Sequence, residues 1–271
     1  MRIIPILLLL LLLFGVSCST GPNASPNPWL VPFQDRSTSA VSRSQMRAMA
    51  RLANIYREAG LEAEYEGCIS TAFDLYPGDL DNTYTYLNIL IDRINVQREE
   101  VTRQRQALVS NGIDIDSLTR DSLPGNEPER SEAVAYLDAQ DELQQKYDSC
   151  YRIMAIACDA VPYNADIYYT TANLQYMRAV ETDDRDKYKD AIYYLKKAIS
   201  TDSGHLESYS LIALCYEKLG DNDRAIRFWR LLETVYEIAP EVIEDFRTPE
   251  HEEMHRIALQ HLANLGAGPG E

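Results

Sequence analysis

Residues Ile3 to Phe14 form an unbroken apolar run behind the single positive charge of Arg2. With the small residues Gly15 and Ser17 after it, residues 1–17 read as a secretory leader. The run falls short of the ~20 apolar residues that cross a bilayer, so it is not a lasting membrane span. Periodicity is then lost. STGPNASPNPWLVPFQDRSTSAVSR, from Ser19 to Arg43, is rich in Ser, Pro and Asn. Such a segment buries too little apolar surface to offset the entropy of ordering it. Residues 18–43 are therefore expected to be a flexible tether, whose Trp29, Leu30, Val31 and Phe33 suit docking on the folded part. From residue 44 the pattern changes. Apolar residues recur at spacings of three and four, and breakers fall where helices should end. The reading is an all-α domain over 44–265, with GAGPGE at 266–271 as a disordered tail.

The helical pattern repeats. In LESYSLIALCYEKLGDNDRAIRFWRLLETVYEIAP, Tyr209, Ile212, Ala213, Tyr216, Gly220, Ala225 and Trp229 fall at a fixed set of spacings. Met49, Leu52, Ala53, Tyr56, Gly60, Ile69, Ala72 and Pro77 repeat it near the start, with Tyr65 in place of the small second-helix residue. Tyr168, Ala172, Ala191, Leu195 and Ala198 carry a third copy, with a polar segment around ETDDRDK expected to lengthen its turn. A split copy has Tyr84, Leu87 and Ile91 in its first helix and Cys150, Met154, Ala157 and Pro162 in its second. Over residues 44–240 the pattern resembles the tetratricopeptide repeat family. Small residues at Ala53, Ala172, Ala213 and Ala225 let helices approach within ~8–10 Å. Large ones at Tyr56, Tyr216 and Trp229 fill the next groove. The resemblance implies an α-solenoid of about four helix pairs with a C-terminal capping helix.

The split copy contains the least generic stretch. Leu87, Ile94, Val101 and Leu108 recur every seven residues, with Gln97 and Gln104 thinning the seam. The helix should stop at Asn111-Gly112. A return helix is expected from near Ser131, carrying Leu137, Leu143 and Tyr147 into Cys150. Residues 95–146 are thus predicted to be a helical-hairpin insertion. It is either an arm for a partner or second subunit, or a solvated excursion. Asp114, Asp116 and Asp121 do not have the spacing of a calcium loop.

Charge narrows the function. The chain carries a formal −16, and loss of Arg2 with the leader adds one more negative charge. A basic face for nucleic acid is not expected, nor is attraction to anionic lipid. Four cysteines follow Cys18. Cys68, Cys150, Cys158 and Cys215 sit in helical patterns and read as buried free thiols rather than disulfides.

HEEMHRIALQH, residues 251–261, raises a different chemistry. His251, Glu252 and His255 match H-E-x-x-H, in which two histidines share a helix face and the glutamate acts on a metal-bound water. His261 falls where some zinc proteases place a third ligand. That third ligand needs the chain to leave the helix, and Ala258 stands where a Gly would permit it. On a continuing helix His261 lies roughly 240° round from His255. No Met follows in LANLGAGPGE, and the repeats leave no room for a sheet. A capping helix is the expected reading, with no metal site, no cofactor and no catalytic residue.

GVSC at 15–18 resembles the lipobox of bacterial lipoproteins, with Gly15 in place of the usual aliphatic residue. The resemblance implies a lipid on Cys18, and burial of ~0.8 kcal/mol per CH₂ makes such an anchor stable. Ser19, in place of Asp, favours the outer membrane, with the chain facing the periplasm. Tetratricopeptide solenoids line their concave face with first helices, and the resemblance implies a protein segment bound there. Arg47, Asn54, Arg57, Tyr169, Asn173 and Tyr176 are the groove candidates, with Leu214 and Glu217 in the last pair; the alternative for Tyr169 and Tyr176 is packing against the next pair. The expected function is a scaffold or adaptor for an envelope or membrane protein complex. Two other readings stay open: a carrier of a hydrophobic small molecule or lipid, and a zinc metallopeptidase.

Overall fold

A computed structural model describes residues 40–241 and 246–267. The leader, Cys18, the apolar patch at Trp29 to Phe33, and residues 268–271 lie outside the described residues. Within them the chain forms nine α-helices and no strand. They are α1 (Ala40–Glu58), α2 (Glu62–Leu75), α3 (Leu80–Ser110), α4 (Glu127–Ala160), α5 (Ala165–Thr182), α6 (Arg185–Thr201), α7 (Leu206–Lys218), α8 (Asn222–Ile238) and α9 (Pro249–Asn264). The helices pack as the pairs α1/α2, α3/α4, α5/α6 and α7/α8. Each pair stacks on the next, and α9 closes the array against α8 and α7.

The repeat residues explain the stacking. Ala53, Ala72, Ala172, Ala191, Ala198, Ala213 and Ala225 are all fully buried, so the first, third and fourth pairs carry small residues in their packed interior. Trp229, Leu232 and Leu195 fill the intervening space and are also fully buried. Burial of a large apolar side chain stabilises by about 1.5–3 kcal/mol. The pairs are therefore held chiefly by these grooves rather than by helix propensity. Turns are cut by local chemistry. Gly60 and Gly220 adopt φ of 70° and 75°, a left-handed conformation that a side chain disfavours. Beyond each, an amide reaches back to the helix: Leu61 to Tyr56 and Asp221 to Tyr216, both at 2.9 Å. Asp79, Asn126, Asn164, Asp184, Asp221 and Thr248 cap the following helices with side-chain oxygens, satisfying amides that have no partner inside the helix.

Several boundaries differ from expectation. The first helix starts at Ala40, so residues 40–43 are helical rather than tether. The polar segment near ETDDRDK does not lengthen a loop: only Asp183 and Asp184 separate α5 from α6. The extra residues extend both helices, and Asp183 makes the turn at φ 52°. The return helix of the hairpin begins at Glu127, with Pro128 in its first turn. Asn126 accepts from the Glu129 amide at 3.0 Å, which starts the helix four residues before Ser131. At the far end, the Ala267 amide bonds Leu262 O at 2.9 Å. Gly266 and Ala267 thus belong to the helix cap and not to a tail.

Helices α3 and α4 are the two longest, with 31 and 34 residues. At 1.5 Å per residue they reach roughly 45–50 Å, so their outer halves project beyond the neighbouring pairs. Leu87, Ile94, Leu108, Leu143, Tyr147 and Cys150 are buried along the seam. Gln97 does not leave a gap there. Its Nε2 donates to Ala139 O at 3.2 Å and its Oε1 accepts from Lys146 at 2.9 Å. The tip has a small core of its own, in which Ile113, Ile115, Leu118 and Leu123 pack on Leu108, Ala133 and Tyr136. At the root, Glu181 of α5 accepts the Tyr147 hydroxyl of α4 at 3.0 Å through both oxygens. It also pairs with Arg98 of α3 and with Arg178, and the Arg178 guanidinium lies 4.8 Å above the Tyr147 ring. Three helices share this one carboxylate.

Candidate functional site

Arg47, Asn54 and Arg57 project from α1 into one groove of about 390 Å³. Arg51 joins them from the same helix, and Asp79, Asp81, Asn82 and Thr85 form the opposite wall at the start of α3. The spacing 47, 51, 54 and 57 places all four on one helix face. Tyr65 also lines the groove. It stands in place of the small residue of α2, packs on the Ala53, Cys68 and Ile69 core, and has Arg57 6.0 Å above its ring. Arg47 and Arg51 are exposed. No carboxylate among the described residues lies within ion-pair distance of either. Asp79 on the far wall is engaged: one oxygen accepts from the Asn82 amide at 3.1 Å and from its side chain at 2.8 Å. Helix α1 holds four arginines and one acid, Glu58. It is a basic element in a chain of net charge −16.

The other three groove candidates stand elsewhere. Tyr169 borders a second cavity, near His205, and its ring lies 5.2 Å from that imidazole. Tyr176 packs edge-on to Tyr188 at 5.8 Å, between α5 and α6. Asn173 is half-buried on α5 and borders neither cavity. The six residues therefore do not form one surface. Glu217 is occupied: it accepts from the buried Trp229 indole at 2.6 Å and is bonded by His261 at 2.9 Å. Leu214 packs into the junction of the last two pairs and the cap.

The three histidines of α9 are spread over three separate contacts. The His251 ring packs on Phe246 at 4.7 Å and bonds the Phe246 carbonyl. The His255 ring stacks on Tyr236 at 4.2 Å. The His261 ring stacks on Trp229 at 4.7 Å. Each imidazole is thus a flat packing element, and together they fasten α9 to α8 and to the loop before it. Glu252 is exposed. Among the described residues no three His, Cys, Asp or Glu side chains gather in a way that would hold a metal ion.

His205, which is not one of the groove candidates, lies in a polar cluster of its own. Its Nε2 lies 3.1 Å from Asp166 Oδ1, and its Nδ1 lies 3.1 Å from Ser208 Oγ. The order Ser-His-Asp resembles a nucleophilic relay, but Ser208 is fully buried and its oxygen meets no solvent. The arrangement ties the α6–α7 turn to the start of α5. No local sequence signal marks it, because Asp166 lies 39 residues before His205 in the chain.

The four cysteines among the described residues are free and buried. Burial pushes the thiols of Cys150 and Cys215 up to about 12, which makes them poor nucleophiles. No helix among the described residues is long and apolar enough to cross a membrane.

No protein-family model matches the sequence, and no curated protein does. Solved structures do resemble it. The MamA protein is 16% identical, with 76% of this chain and 99% of that one covered at a TM-score of 0.37. A thermophilic TPR protein of Thermus thermophilus is also 16% identical, covering 79% and 99% at 0.34. The TPR2AB domain of yeast Sti1, solved in complex with pHSP90, is 13% identical, covering 80% and 70% at 0.32. The fold assignment itself stands on the paired helices and their buried small residues. This is a tetratricopeptide-like fold. Within it, the exposed arginines of α1 and the cavity at His205 are two separate concave surfaces.

Proposed function

We propose that this chain is a lipid-anchored scaffold of the bacterial cell envelope, and that its solenoid binds an acidic segment of a protein partner between α1 and α3. One observation carries the binding reading. Arg47, Asn54 and Arg57 converge with Arg51 on one groove, where three arginines face the two carboxylates of Asp79 and Asp81, and neither Arg47 nor Arg51 is held in an ion pair among the described residues. Fork-shaped guanidinium groups grip carboxylates with two parallel hydrogen bonds. Asn54 can donate to and accept from an extended backbone. The groove lies on the first described helix. The lipid on that residue, the periplasmic orientation and the outer-membrane site are supported by the sequence of residues 1–19. Both cavities are rimmed by charge, the wrong lining for a hydrophobic cargo.

Fluorescence anisotropy with a labelled nine-residue acidic peptide tests the groove. Binding should weaken at least about tenfold in the Arg47→Glu, Arg51→Glu double variant, consistent with loss of two charge-assisted contacts. A lysine-rich peptide of the same length should not bind there. Equal affinity for both peptides, or no effect of the charge reversal, would remove the basis of the proposal. Mass spectrometry of the membrane-extracted chain tests the anchor, which requires an acylated Cys18 at the N-terminus.

A further inference from the structure

A second cavity, of about 330 Å³, opens where the start of α5, the α6–α7 turn and the start of α9 meet. Its rim carries three carboxylates, Asp166, Asp202 and Glu207, and its walls include the rings of Tyr169 and Phe246. No Lys or Arg is among its lining residues. His205 forms part of the floor and is only 9% exposed. Its nitrogens already face Asp166 at 3.1 Å and Glu207 at 3.3 Å. His251 also borders the cavity, with its Nδ1 engaged by the Phe246 carbonyl. Even with both imidazoles protonated, three carboxylates against two positive charges leave the cavity negative.

Several other tyrosine faces in this fold have their own cation. Lys197 lies 4.8 Å from the Tyr193 ring and 5.5 Å from Tyr168. Arg224 lies over Tyr216 at 5.6 Å, and Arg247 over Tyr236 at 5.1 Å. Tyr169 has no such partner among the described residues. Its ring meets the His205 imidazole and opens on the cavity.

We propose that this cavity receives an organic cation, the ammonium or guanidinium end of a Lys- or Arg-sized group. The aromatic faces supply the attraction of the ring quadrupole for positive charge. The carboxylates supply hydrogen-bond acceptors and long-range attraction. The rings select an organic cation over a bare metal ion, which would need three or more convergent ligands. The source is a partner protein's basic side chain or a free polyamine. The inference does not depend on the groove between α1 and α3, which is a separate surface of opposite charge.

The test uses the full chain in detergent micelles, labelled with nitrogen-15. The probes are N-acetyl-arginine amide, N-acetyl-lysine amide and putrescine, with N-acetyl-glutamine amide as the uncharged control. The cationic probes should shift the Gly204 amide saturably, and the glutamine compound should not. Glu207→Gln and Tyr169→Leu should each weaken binding about threefold to tenfold, while Glu127→Gln on the hairpin leaves it unchanged. Asp202→Asn provides a further variant, because its oxygen still accepts the Gly204 amide, now bonded at 2.8 Å. A tighter response to the amino-acid amides assigns the site to a partner's side chain; a tenfold preference for putrescine assigns it to a free polyamine. Equal shifts from the uncharged control, or full affinity in Glu207→Gln and Asp202→Asn with the spectrum otherwise intact, overturns the proposal.

Discussion

Replacing Glu217 by Leu should detach the cap without touching the histidines. Glu217 accepts from Trp229 Nε1 at 2.6 Å and from His261 Nδ1 at 2.9 Å. Its side chain is 23% exposed, while Trp229 is fully buried. Removing the acceptor leaves an indole N–H in the interior with no partner, at a cost of about 1–3 kcal/mol. The His261 bond adds roughly 0.5–1.5 kcal/mol. Some water can reach the site, so the lower half of the combined range is expected, about 1.5–3 kcal/mol. Glu217→Gln keeps an acceptor oxygen and should cost less than about 1 kcal/mol. A solenoid loses its terminal units first, so the damage should be confined to α7, α8 and α9. Hydrogen exchange by peptide, with urea unfolding followed at Trp229 in a Trp29→Phe background, reads both the size and the place. If Glu217→Leu and Glu217→Gln unfold within about 0.5 kcal/mol of each other, the shared acceptor does not fasten the cap as described.

Other outcomes follow from the same contacts. Glu181→Ala should cost about 2–4 kcal/mol, since it strands the Tyr147 hydroxyl and removes the partner of Arg98; exchange should accelerate at the hairpin root and not at its tip. His255→Ala should cost about 1 kcal/mol through the lost stack on Tyr236, whereas Glu252→Gln should leave the melting temperature unchanged, and added zinc should raise it in neither protein. Cys150 and Cys215 should resist iodoacetamide at pH 8 in the folded chain and react at once in denaturant, because a thiol near 12 is roughly 10⁻⁴ ionised there. The same burial fixes the sign of an alkaline effect. The folded thiols hold their protons above the ordinary value of 9.0, so their contribution is complete below about pH 9 and is lost as pH rises towards about 12. Cys150→Ala should flatten the fall of stability across that window, measured by urea unfolding at several pH values.

The repeats were legible because they are enforced by contact distance. A residue larger than Ala at 53, 172, 213 or 225 would push two backbones apart, so the spacing of small residues records the packing directly. The hairpin was legible for a related reason, since its seven-residue spacing places Leu87, Ile94 and Leu108 on one buried line. Its start at Glu127 was hidden: Asn126 and Pro128 are helix-start residues that sit inside a stretch rich in turn formers, and only the cap geometry separates the two uses. The α5–α6 turn was misjudged because charged residues can extend a helix as readily as they fill a loop. The site was legible on one helix and not across helices. Arg47, Asn54 and Arg57 share a face of α1, so spacing alone brings them together. Tyr169 and Tyr176 look equivalent by spacing, yet one meets His205 and the other Tyr188, because the adjoining turns differ. The cavity at His205 joins residues 166, 202–207 and 246–251, and no local pattern connects segments so far apart. In the same way the three histidines of α9 are neighbours along the helix, while the aromatic ring each one meets is set by α8 or the loop before α9.

The arginine face of α1 is proposed as the place where a partner docks. A photoreactive phenylalanine analogue in place of Arg51, in the lipidated chain within native membranes, tests it most directly. The expected result is a discrete crosslinked protein whose attached peptide is rich in Asp and Glu, competed away by the acidic nine-residue peptide and missing when Arg47 and Arg57 are changed to Glu. The same crosslink from a probe at exposed Tyr193, or one that survives both the competitor and the charge reversal, would contradict it.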